Sequence, residues 1–222
     1  MSGSPGAILV VAGPLAAGKS TFIQCLKADA LPRELLCLLP ESASRWRVFE
    51  ANDFLKRSIA VDSVLHDVAP EDGLILHFDT TFGRRFGLTD YARDPIFGLM
   101  QRAHSLVIVS IHPSPETLQA QFEGRLRDQR QRRGWARELW RRIVHRPLRA
   151  LVRRARGQRV VDTSRIFRDQ AGLEQCYREW TAFARSLVRE KPGSILVCVE
   201  PRVGRDRRPT FVLNADTVEV SG

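Results

Sequence analysis

Eight consecutive residues, Gly13-Pro14-Leu15-Ala16-Ala17-Gly18-Lys19-Ser20, satisfy the pattern G-x-x-x-x-G-K-[ST] at every fixed position. Each residue type suits the grip of a phosphate chain. Gly13 and Gly18 admit backbone conformations that a Cβ opposes, so the backbone through Pro14, Ala16, Ala17 and Gly18 can turn its N–H groups around an anion. A helix that begins at Lys19 and continues through Thr21 would aim its unpaired N–H groups, and the positive end of its dipole, at the same anion. The Lys19 ammonium would reach the β- and γ-phosphates of a nucleotide, and the Ser20 hydroxyl would ligate Mg²⁺.

Such a loop works only between a strand and a helix, and the flanking sequence offers both. Ala7 to Ala12 is a short apolar, β-branched run that reads as a buried strand, while Phe22, Ile23 and Leu26 repeat at helical spacing until Pro32 stops the helix. Further strands are expected at Arg47 to Ala51, Gly73 to Phe78, Leu106 to Ile111 and Ser194 to Glu200. Between them, helices are expected over Phe54 to His66, Pro95 to Ala103, a stretch led by Pro115, and Leu173 to Arg189. Leu35 to Leu39 is too short to separate helix from strand, and the tail over Thr210 to Leu213 and Val218 to Val220 reads as a small hairpin or edge addition. Strands alternating with helices predict an α/β fold whose parallel sheet is covered on both faces. One domain over residues 1–222 with a helical insert accounts for the pattern.

Composition narrows the rest. The chain has 222 residues, 43% of them hydrophobic, which supports a folded core. No apolar run approaches the roughly 18 to 20 residues of a membrane span. Cys25, Cys37, Cys176 and Cys198 are scattered without metal-ligand spacing, as expected of free thiols in a cytoplasmic protein. The net charge of +10 is local. Residues 121–168 hold sixteen arginines, no lysine and four acidic residues, so that stretch carries +12 and the remainder is near neutral. An acidic ligand is implied: nucleotide phosphates, nucleic acid or a membrane surface.

On its glycine loop, lysine and serine the chain resembles the P-loop NTPases. That resemblance implies an acidic residue at the end of an apolar strand that supports the Mg²⁺ shell. Asp79, closing Leu74-Ile75-Leu76-His77-Phe78, stands in that position, although a turn or helix cap would also use an aspartate there. Thr80 follows Asp79 where an ABC-type ATPase carries glutamate, and the N/T-K-x-D motif of GTPases is absent. The chain is therefore most similar to the P-loop kinases of nucleotides and other small molecules. The resemblance implies a three-layer sheet of about five parallel strands, with an Arg-bearing helical lid over about 116–158 and a C-terminal strand plus hairpin over about 194–220. It implies ATP and Mg²⁺, and transfer of a γ-phosphoryl group to a small-molecule acceptor that could itself be anionic.

Within that resemblance Asp53, after the second strand, is the candidate general base or acceptor ligand; an ordinary helix cap by Asn52 or Asp53 is the alternative. Arg125 and Arg130 are the candidate lid arginines that neutralise the transferring group, within a run that also holds Arg127, Arg132 and Arg133. Arg84 and Arg85 follow the Asp79 strand and could bind an anionic acceptor. The five histidines and four tryptophans are expected to be structural or surface residues, with Trp135 and Trp140 the ones that could stack on a base. No motif names the acceptor. The rival reading is a nucleotide-dependent regulatory ATPase whose basic insert docks on nucleic acid, a partner not favoured for the kinase, or on an acidic protein.

Overall fold

The computed structural model describes residues 7–51, 73–81, 95–124, 127, 170–203, 209–214 and 218–220. Its elements run β1 (Ala7–Gly13), α1 (Lys19–Lys27), α2 (Arg33–Leu36), a 3₁₀ turn (Glu41–Arg45), β2 (Arg47–Glu50), β3 (Leu74–Asp79) and α3 (Pro95–Arg102). They continue with β4 (Ser105–Ile111), a helix α4 over 115–124, α5 (Gln170–Arg189), β5 (Ile195–Val203), β6 (Pro209–Leu213) and β7 (Glu219–Val220).

Among the described residues seven strands join one sheet in the order β2-β3-β1-β4-β5-β6, with β7 also on β5. The strands β2, β3, β1, β4 and β5 are parallel neighbours, whereas β6 and β7 run antiparallel to β5. The fold is thus α/β with a mostly parallel open sheet. Seven strands stand where about five were expected, because the tail adds two. Of the two readings of the tail the edge addition holds: β6 pairs with Val199 to Val203 and β7 with Ile195 and Leu196, so each lies on β5 and not on the other.

The apolar runs become strands because β1 and β4 are buried on both faces. Ile8, Leu9, Val10, Val11 and Ala12 are all fully inaccessible, the continuous pattern of a parallel strand covered by helices. On one face Ile8, Val10, Leu74, Leu76 and Leu106 pack under Leu99 of α3 and Trp180 and Ala184 of α5. On the other, Leu9, Val11, Ile75 and Val109 meet Phe22 and Leu26 of α1 and Leu35 of α2. This second cluster also shows why Leu35 to Leu39 escaped assignment: α2 is one helical turn buried through Leu35.

Helix boundaries follow local chemistry. Ser114 Oγ accepts from the Thr117 N–H at 3.3 Å, so Ser114 caps α4 ahead of Pro115. At the start of β3, Gly73 lies against Trp46, whose indole is buried and donates from Nε1 to Ser42 Oγ at 3.0 Å. A Cβ on Gly73 would stand 2.2 Å from the indole Cε2. Gly73→Ala is therefore expected to lower stability by about 1–3 kcal/mol through displacement of the ring. A urea-unfolding midpoint equal to wild type would contradict that packing.

No helix among the described residues is long and apolar enough to cross a membrane. All four cysteines are free, as their spacing suggested.

Candidate functional site

The 13–20 loop leaves the end of β1 and enters α1 directly, the strand–loop–helix context that its sequence pattern requires. β1 is the central strand at which the chain's direction of progress across the sheet reverses, with β3 on one side and β4 on the other. In open α/β sheets the crevice beyond the carboxyl ends of strands at such a reversal is where ligands bind.

Local physics shapes the loop. Gly18 has φ 91° and Ala16 has φ 66°, so two left-handed residues coil the backbone. The Ala17 N–H donates to Pro14 O at 3.2 Å, closing a tight turn. Gly13 has no positive φ, which corrects the expectation that both glycines serve backbone freedom. A Cβ on Gly13 would meet the Ile111 carbonyl oxygen at 2.9 Å and Ala17 Cβ at 3.1 Å; Gly13 is needed for close approach between β1, β4 and the loop. From behind, Phe211 of β6 packs edge-on against Phe22 with centroids 5.0 Å apart, and its ring edge lies 3.9 Å from a Cβ placed on Gly18. The tail strand thus backs the turn into α1, a support that its sequence position did not advertise.

Lys19 is 4% exposed. Its ammonium donates to Gly13 O at 2.9 Å and Pro14 O at 2.6 Å, so the charge sits inside the loop's own ring. The N-terminus of α1 has no side-chain cap and no acidic residue in its first turn, which keeps that end electropositive.

Asp79 pairs in register with Gly13 across β1 and β3, and the Thr80 N–H donates to Gly13 O at 3.0 Å. The carboxylate is buried, and its Oδ1 accepts from the Thr81 N–H at 3.0 Å and the Thr81 hydroxyl at 2.7 Å. Those two donors fix the rotamer. Ser20 is exposed in the first turn of α1.

Between Ser20 and β2 lies a histidine that the sequence reading left among structural residues. His77 Nε2 is 3.3 Å from Ser20 Oγ, and its Nδ1 is 2.7 Å from Glu50 Oε2. The second contact has ion-pair distance but lies outside the direction of the ring N–H, so Nδ1 is not a fully satisfied donor. Burial and then the nearby Lys19 charge hold the His77 pKa below its usual 6.5, against the opposing pull of Glu50 and Asp79. One signal was readable in sequence: His77 and Asp79 are two apart on one strand and therefore share a face. The other was not, since Glu50 reaches His77 only through the β2–β3 register.

Leu15 and Ala16, at the tip of the loop, pack against a small cluster of Leu118 of α4 and Leu173 of α5, which Phe122 and Tyr177 also border. At the carboxyl end of β4, His112 stacks on Tyr177 with centroids 4.3 Å apart and meets Ser110 Oγ at 2.7 Å. Tyr177 donates to Pro113 O at 3.0 Å, and burial pushes its phenol pKa above the ordinary 10.0.

Burial also holds the His112 pKa down, to about 4 from 6.5. The folded chain then binds this proton less readily than the unfolded one. Stability from this group is complete above about pH 6.5 and falls as pH drops towards 4, by on the order of 3 kcal/mol. Urea unfolding at pH 7 and pH 4.5 is expected to show this loss in wild type and a smaller loss in His112→Gln. Equal losses would mean that His112 is not held neutral.

Asp53, Arg125 and Arg130 lie outside the described residues, as do Arg84, Arg85, Trp135 and Trp140. Arg127 is exposed. Trp46 and Trp180 are buried core residues, as expected.

Ser20 and Asp79 offer a hydroxyl and a carboxylate, the oxygen donors that Mg²⁺ prefers. No group of three or more His, Cys, Asp or Glu among the described residues could hold a metal ion.

Comparison of the chain with protein-family models, with curated proteins and with solved structures finds no match.

Proposed function

We propose that this chain binds ATP with Mg²⁺ at the 13–20 loop and transfers the γ-phosphoryl group to a small-molecule acceptor, as a P-loop kinase does. The observation that carries the reading is the buried Lys19 ammonium, enclosed by the carbonyls of a G-x-x-x-x-G-K-S loop at the carboxyl end of the central strand. A buried ammonium beside an uncapped helix N-terminus is a strong field for a polyanion, and the short carbonyl contacts hold it ready for phosphate oxygens. Ser20 and Asp79 would hold Mg²⁺, which when bound neutralises phosphate charge.

Three further steps follow from phosphoryl-transfer chemistry. The acceptor oxygen forms a bond to the γ-phosphorus as the bond to the β–γ bridging oxygen breaks, ADP leaves, and the acceptor proton passes to a nearby base. Asp53 is the candidate for that base. Arg125 and Arg130 are the candidates for neutralising the moving charge. Support for an Arg-bearing lid comes from α4: the helix that leads into the arginine-rich stretch shares, through Leu118, a small apolar cluster with the loop's own Leu15 and Ala16. Catalysis would rest on positioning and charge neutralisation.

The test is ADP formation from Mg-ATP over a panel of nucleosides, sugars and other small alcohols. Stimulation by one class names the acceptor. Tight Mg-ATP binding with no stimulation across the panel, joined to salt-dependent affinity for RNA or DNA, would move the reading to the regulatory ATPase.

A further inference from the structure

We infer that His77, beside Glu50, is a positioning residue that turns the Ser20 hydroxyl proton away from the metal side, so that the oxygen offers its lone pair to the cation. The inference rests on the Mg-nucleotide reading above. It adds two residues, on two strands, that no motif contains.

A serine hydroxyl has one proton and two lone pairs. To ligate a cation its oxygen must present a lone pair, and the proton must go to an acceptor elsewhere. Ser20 is exposed in the first turn of α1, where water could otherwise take that proton in many directions. His77 Nε2, 3.3 Å away, gives it one direction. For Nε2 to accept, the ring proton must sit on Nδ1, the atom that lies 2.7 Å from Glu50 Oε2. The Glu50 carboxylate lies beside Nδ1 at ion-pair distance but off the line of its N–H, so its negative charge, and not a formed hydrogen bond, favours the tautomer with the proton there; the histidine acts through the ligand instead of binding the ion.

The sheet sets the spacing. Glu50 and His77 are register partners on parallel β2 and β3, and Val11 of β1 is the partner of His77 on its other side. Asp79, two residues on, faces the same side of the sheet as His77. One short segment of β3 thus carries the proposed metal carboxylate and the group that aims the other ligand.

Mn²⁺ is the probe, with a fluorescent ATP analogue and the full chain. Affinity of Mn²⁺ for the protein–nucleotide complex is measured by electron paramagnetic resonance, and nucleotide dissociation constants are measured with and without Mn²⁺. His77→Leu is expected to weaken Mn²⁺ about 10- to 100-fold and to collapse the ratio of the two nucleotide constants. His77→Gln, whose amide oxygen can accept the Ser20 proton, is expected to recover most of that loss. Glu50→Gln is expected to fall between them. All variants are compared below their melting midpoints.

Mn²⁺ affinity in His77→Leu equal to wild type, or His77→Gln as weak as His77→Leu, would overturn the inference. So would covalent labelling of Ser20 by a fluorophosphonate, since a Ser–His–Glu series that activates the oxygen as a nucleophile has a different purpose. A wild-type chain whose nucleotide affinity ignores Mn²⁺ would overturn the metal reading itself, and is told apart because it needs no variant.

Discussion

Lys19→Ala is expected to lower ATP turnover by about 10²- to 10³-fold, the scale of removing one preorganised donor from a charged transition state. The ammonium donates to Gly13 O and Pro14 O from a position 4% exposed. Its loss subtracts charge where the γ-phosphate would sit, while Gly13 O keeps the Thr80 N–H and Pro14 O keeps the Ala17 N–H as donors. Stability should change far less than activity. Charge-assisted hydrogen bonds lost here are worth about 1.5–3 kcal/mol each, but removing a buried charge also removes its desolvation cost, and the two effects oppose. Lys19→Arg is not a rescue: the guanidinium is planar and longer, and the space inside the loop was set by a point charge. Turnover is read from ADP release and stability from urea unfolding of the same preparations. A Lys19→Ala protein that folds and turns over at the wild-type rate would remove the loop from the chemistry.

Gly13→Val is expected to cost about 3 kcal/mol or more and to abolish triphosphate binding in whatever folded protein remains. The new Cβ would stand 2.9 Å from the Ile111 carbonyl oxygen and 3.1 Å from Ala17 Cβ. Neither neighbour is the free end of a flexible chain: one is backbone of β4, and the other is a methyl fixed to the loop. Relief must come from moving β1 against β4 or from opening the loop, and overpacking of this kind costs about 1–3 kcal/mol even for single methylenes. Gly18→Ala is the informative contrast. There the added Cβ finds only the Phe211 ring at 3.9 Å, so the cost is the strain of an L-residue at φ 91°, about 1–2 kcal/mol. Two glycines of one motif are thus retained for different reasons, and chemical denaturation of both variants separates them. Equal costs at the two sites would contradict the close approach assigned to Gly13.

The same pair shows what the sequence could and could not disclose. The placing of the loop between a strand and a helix was legible because its pattern lies within eight positions, directly between an apolar run and a helical one. The parallel strands were legible because burial on both faces leaves an unbroken apolar run, as in Ile8 to Ala12. The reason for Gly13 was not legible, since its neighbour Ile111 is nearly a hundred residues away and becomes adjacent only when β4 pairs with β1. His77 was passed over for a similar reason: Glu50 and Ser20 reach it through the β2–β3 register and through the turn into α1. The tail reads as a small hairpin or an edge addition, but nothing in it says that Phe211 stands against Phe22 behind the loop. In each case the missing information is a long-range pairing, which neither periodicity nor local spacing carries.

Nucleotide binding is settled by isothermal titration of the purified chain with ATP, with and without Mg²⁺. Saturable binding at one site is expected, tightened by Mg²⁺ and lost in Lys19→Ala. No heat of binding to a folded wild-type protein in either condition, or binding of equal strength in Lys19→Ala, would contradict it.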